Sequence, residues 1–183
     1  MNDNGSFALP PALRLEGYGI RLRAWSDEDL ADLVALYDDP EMARWTPVAS
    51  PFDLVAARTY LAGAREGQAQ GRKLQLAITT DGVRPHGEVL LFRGESDARD
   101  LELAYGVGAV HRGQGLAGRA VRLVAAHATE QLRPRRVVLC IDAGNAASEA
   151  VARSCGFELA DDAPVRRRSR GRETILRTWS LRG

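Results

Sequence analysis

The stretch His111-Arg112-Gly113-Gln114-Gly115-Leu116-Ala117-Gly118 decides how this chain is to be read. It stands between an apolar run, Leu101 to Val110, and a long segment of helical pattern, so it is a strand-to-helix junction. Glycines at such a junction leave backbone N–H groups unscreened by side chains, and the start of the helix adds partial positive charge. The combination makes an anion site, suited to a phosphate or diphosphate.

Gly113 to Gly118 also fits G-x-G-x-x-G, the dinucleotide-binding fingerprint. That reading needs further strand and helix pairs after the glycines, and the chain beyond Gly118 shows one clear buried strand. The polar pair His111-Arg112 separates the strand from the glycines where a tight turn is required. Asp142 lies further on than the usual ribose-binding acid, and no Lys-Ser or Lys-Thr follows to make a Walker loop.

Downstream of the junction, Ala117, Ala120, Val121, Val124, Ala125, Ala128 and Leu132 keep one helical stripe until Pro134. Val137 to Ile141 is too apolar for an exposed strand and reads as a central one, parallel to the Leu101 strand and reached by a helical crossover. Asn145 caps a short helix that stops at Gly156. The run Arg166-Arg167-Arg168-Ser169-Arg170 reads as a solvated loop before a last strand, Thr174 to Leu181. Upstream, Lys73 to Thr79, Gly87 to Phe92 and Leu101 to Val107 form an antiparallel meander with turn residues between them. Tyr18 to Ala24 alternates as a half-buried strand. A first helix follows Ser26 and ends near Pro40, and a second runs through Leu54, Val55, Arg58, Tyr60 and Leu61. Residues 1–16 lack periodicity and read as an irregular segment, leaving 17–183 as a single domain. The fold class is α+β, a mixed and mostly antiparallel sheet of six to seven strands with helices on both faces.

The 183 residues suffice for one core without disulfides or metal. With 25 basic against 24 acidic residues the charges nearly cancel, which argues against a dedicated nucleic-acid partner. Cys140 and Cys155 fall in apolar surroundings without metal-ligand spacing and read as reduced core residues. Neither a membrane span nor a signal peptide is visible, so a cytoplasmic location is expected.

Arg112-Gly113-Gln114-Gly115-Leu116-Ala117 fits the acyl-CoA loop of the GCN5-related N-acetyltransferases (GNAT) at every fixed position: Gln or Arg, two residues, Gly, one residue, Gly or Ala. Arg21-Leu22-Arg23 with Asp29-Leu30, Leu101 to Tyr105, and Asn145-Ala146-Ala147-Ser148 with Cys155-Gly156-Phe157 resemble further marks of the branch that includes the RimJ and RimL ribosomal-protein acetyltransferases. The resemblance covers roughly residues 18–181 and implies a V-shaped splay between the family's fourth and fifth strands, here the Leu101 and Val137 strands. Acetyl-CoA is the implied co-substrate, with no metal. Its arm would lie between Val107 and Gly108 on one side and Ile141 and Asp142 on the other. Its diphosphate would rest on Gly113, Gln114, Gly115, Leu116 and Ala117, with charge from Arg112.

The implied reaction is attack of a primary amine, on a protein N-terminus or a small molecule, on the thioester. Asn145 is implied to bond the arm as well as cap its helix. Ser148 is implied as proton donor to the thiolate, since the tyrosine many relatives carry in this helix is absent between Asn145 and Phe157. Glu102 matches the family's strand glutamate, a general base in some members. The branch's later Glu-Gly is replaced by Ala160-Asp161, which keeps a second reading alive: a non-catalytic CoA-binding or ribosome-associated module. The resemblance also allows a homodimer.

Overall fold

Alternating side chains sort the strands onto two cores, and the computed structural model describes this for residues 9, 10, 12–169 and 171–181. The first strands, β1 (Leu15–Gly17) and β2 (Ile20–Ala24), form a hairpin whose turn residues Tyr18 and Gly19 both take positive φ. Then come β3 (Lys73–Thr79), β4 (Pro85–Arg93) and β5 (Leu101–Val107), an antiparallel meander in register Leu76↔Val89↔Tyr105. The parallel partner of β5 is β6 (Val137–Asp142), followed by β7 (Phe157–Leu159), β8 (Val165–Ser169) and β9 (Arg172–Leu181). One sheet results, in the order β1-β2-β3-β4-β5-β6-β9-β7, with β8 paired to β9 off that path.

Side chains of directly paired residues share a face. Leu74, Leu91, Leu103 and Leu139 therefore line one face, against which helices α4 (Leu116–His127) and α5 (Ala146–Ser154) pack. The stripe read from sequence is the buried side of α4: Ala120, Val121, Val124 and Ala125 are all within the core. Each buried Val or Leu there contributes roughly 1.5–3 kcal/mol. The other face carries Ala77 and Glu88 beneath α1 (Leu30–Tyr37), α2 (Pro40–Trp45) and α3 (Leu54–Ala69), with a second core around Trp25, Leu33, Tyr37, Met42, Phe52 and Leu61.

The α+β class and helices on both faces agree with the sequence. The sheet has nine strands among the described residues where six to seven are expected, because β1 and β7 are three residues each and the arginine run, expected as a loop, is strand β8. Among the described residues three α-helices stand ahead of β3 where two are expected. Pro40 does not only end α1: Asp39 caps α2 by accepting from the Met42 amide, and Pro40 takes its first position, where a missing N–H costs nothing. Of the irregular segment expected over 1–16, residues 1–8 and 11 lie outside the described residues, and Leu15 and Glu16 belong to β1.

Candidate active site

The parallel pair β5–β6 is held by three rungs, Leu101↔Val137, Glu102↔Val138 and Leu103↔Leu139. Beyond Leu103 the two strands part. β5 stays paired with β4 as far as Val107↔Gly87, and β6 stays with β9 as far as Asp142↔Leu176. Ala104–Val107 and Cys140–Asp142 thus face one another as two open backbone edges, the splay that the resemblance implies. Tyr105 reaches from the open half of β5 toward α5, its hydroxyl 3.4 Å from the Ser148 carbonyl; burial pushes that phenol up to about 12.

At the open end stands the glycine loop. Gly113 (φ 76°) and Gly115 (φ 71°) are left-handed, a conformation that L side chains avoid. The amides of Gly113, Gln114, Gly115, Leu116 and Ala117 have no hydrogen-bond acceptor among the described residues, and they open onto the N-terminus of the 12-residue α4. Arg119 braces the loop from one turn inside α4, donating to the carbonyls of Gln114 (2.9 Å) and Tyr18 (3.3 Å). Just upstream, the His111 ring stacks on His86 at 4.1 Å, and the Gly108 amide donates to the His86 carbonyl at 3.0 Å, tying the segment to β4. That bond commits the Gly108 amide, and Val107 offers its carbonyl to Arg112 Nε at 3.2 Å.

Arg112 itself does not turn into the loop. Its Nη2 lies 2.6 Å from Asp39 Oδ1, the cap of α2. Burial pushes the Asp39 carboxyl up, but the Arg112 and Met42 hydrogen bonds outweigh it and hold the group below the ordinary range. Nothing in the sequence pairs these residues, which stand 73 positions apart.

Glu102 lies on the α1–α3 face at the last closed rungs of the splay, 2% exposed, its two oxygens 2.8 and 2.6 Å from Arg167 Nη2 on β8. Burial raises its carboxyl above the usual range, with Arg167 pulling the other way. The pair borders a cavity of about 20 Å³ that Cys140 and Thr178 also line, room for about one water. Asn145 caps α5 as expected, its Oδ1 accepting from the Ser148 amide at 3.1 Å, and the Ser148 side chain hydrogen-bonds the Tyr105 phenol, opposing the upward push of burial there.

A buried carboxylate that the sequence did not single out lies on the same face. Glu88 on β4 accepts from Trp25 Nε1 (2.8 Å), Gln75 Nε2 (3.2 Å), Tyr60 (2.7 Å) and Tyr37. Burial pushes Glu88 up, while the tyrosine and glutamine donors pull it down. These donors come from β3, α1, α3 and the segment after β2, so the cluster ties that helical layer to the sheet. Among the described residues no group of three metal-ligating side chains occurs, and no helix is long and apolar enough to cross a membrane.

A mixed sheet opened between two parallel strands, with a crossover helix rising from a bare glycine loop, is an acyltransferase architecture of the kind the sequence resembles. Residues 20–158 match the acetyltransferase (GNAT) domain, and the chain belongs to that family, whose members use acetyl-CoA. Solved structures agree on the fold. One described as a ribosomal-protein-serine acetyltransferase from Vibrio cholerae has a TM-score of 0.80 at 18% identity, covering 94% of this chain and 99% of that one. RimJ from Mycobacterium smegmatis, in complex with a CoA disulfide, has 0.74 at 19%, covering 94% and 90%. RimL, a ribosomal alpha-N-protein acetyltransferase in complex with coenzyme A, has 0.75 at 17%, covering 92% and 97%. No match to the sequence was found among curated proteins.

Proposed function

We propose that this acetyltransferase moves an acetyl group from acetyl-CoA to a primary amine, with a protein N-terminal α-amine the favoured acceptor. The row of unpaired amides from Gly113 to Ala117, placed where β5 and β6 stand open, carries the reading. Those amides fit a diphosphate, and the open edges fit an extended arm as an added strand would. The acceptor preference draws on the structural neighbours named for ribosomal-protein acetylation.

Acetyl-CoA supplies an activated carbonyl. This chain's residues then handle orientation and protons. Glu102, on the α1–α3 face of the sheet just before the first open residues, takes the proton of the attacking amine through a bridging water. Arg167 keeps that carboxylate oriented. Ser148, in the first turn of α5, offers a hydrogen bond to the departing sulfur, and the proton taken from the amine is returned to it through water, so the thiol leaves neutral.

Thiol release from acetyl-CoA, followed with a panel of small amines and short peptides with free N-termini, tests this. Turnover on peptides above the small-amine background is expected. Coenzyme binding without turnover on any amine would overturn the reading.

A further inference from the structure

We propose that Arg112 and Asp39 are positioning residues, whose ion pair carries the occupancy of the glycine loop to helix α2 and sets that helix over the acceptor side of the cleft. The inference rests on the reading of the loop as a diphosphate site.

Arg112 begins the loop, yet its guanidinium is spent elsewhere: Nη2 on Asp39 at 2.6 Å and Nε on the Val107 carbonyl at 3.2 Å. One side chain thus joins the loop, the last residue of β5 and the cap of α2. Asp39 Oδ1 receives both Arg112 and the Met42 amide (3.0 Å), so the ion pair and the helix start share one atom. From there α2 reaches both lips of the opened strands. Met42 packs on Gly106 of β5 so closely that an added Cβ would fall 2.3 Å from its methyl carbon, and Trp45 lies 3.6 Å from the corresponding point of Gly144, between β6 and α5. The Arg44 carbonyl accepts from Arg172 of β9 at 3.3 Å. An anion drawn onto the amides of Gly113 to Ala117 fixes the loop, and Arg112 passes that constraint to the helix spanning the cleft.

Hydrogen exchange with and without CoA tests this on the wild type, Asp39→Asn and Arg112→Gln. Asparagine keeps the N-cap acceptor and removes only the charge. In the wild type, CoA should slow exchange at Gly113 to Ala117 and also, by about two- to fivefold, at Ala43 to Thr46. In both variants the loop should still be protected and the α2 amides should not respond, with CoA affinity weakened alike by less than about fivefold. The proposal fails if α2 is silent in the wild type while the loop responds, or if Asp39→Asn keeps the α2 response. It also fails if Asp39→Asn tightens CoA while Arg112→Gln loosens it, the pattern of a phosphate ligand released from a competitor. No protection of the loop in the wild type would sink the diphosphate reading itself, and this inference with it.

Discussion

Replacing Gly115 by alanine separates conformational need from mere space. Gly115 stands at φ 71°, ψ 12° immediately before α4, and an added Cβ would meet no heavy atom within 4 Å. The penalty is therefore backbone strain alone, about 1–2 kcal/mol for an L-residue held left-handed, slightly offset by the stiffer unfolded chain. For 183 residues, a net ~1 kcal/mol lowers Tm by about 2–4 °C. If the turn relaxes instead, the amides of Gly115 and Leu116 rotate away from their common target. Calorimetric titration should then show CoA affinity falling about tenfold, equivalent to ~1.4 kcal/mol. Gly115→Asn should recover much of both losses, since asparagine visits the left-handed region readily. Gly63→Ala is the control: it lies exposed in the interior of α3 with nothing within 4 Å, so alanine should stabilise by about 0.5–1 kcal/mol and leave CoA affinity alone. Wild-type melting and affinity in Gly115→Ala, or no advantage of asparagine over alanine, would refute the reasoning.

Glu88→Ala should cost about 3 kcal/mol or more in urea unfolding, because it strands the buried donors of Trp25, Gln75, Tyr37 and Tyr60, and Glu88→Gln should cost less. Arg167→Ala leaves the buried Glu102 carboxylate without its counter-ion and should destabilise by about 3 kcal/mol, whereas Glu102→Gln should lower kcat by about 10²–10⁴ with a small change in stability. Asp100 is buried, which raises its carboxyl, but the bonds from Arg135 and Arg136 prevail and leave it below its ordinary 3.8. The unfolded chain then takes up the proton first as pH falls, so stability from this group is present above about pH 4 and lost below it. The urea midpoint should drop between pH 5 and pH 3, and Asp100→Asn should flatten that part of the profile.

What could be read from sequence was what is local. The glycine loop, the α4 stripe and the apolar β6 each announce themselves within a dozen residues, whereas the opening of the strand pair ahead of the loop was implied only by the family resemblance. Pro40 reads from sequence only as the end of α1; the same residue starts α2, and the Asp39 cap that decides this shows only in the fold. The arginines of β8 look solvated because charge usually is, yet Arg167 turns inward to Glu102, 65 positions away. Glu88 sits in a run whose apolar neighbours predict a strand and say nothing of the four donors converging on it. Arg112 is the sharpest case. Its place in the motif suggests a phosphate ligand, and only the fold reveals that Asp39 holds it.

Titrating the isotopically labelled chain with CoA, while following the backbone amide resonances of Gly113, Gln114, Gly115, Leu116 and Ala117, tests the central claim most directly. The account predicts that these amides move most and saturate together, with Ala104–Val107 and Cys140–Asp142 following. Saturable binding that leaves those five amides unmoved, or no binding at all, would contradict it.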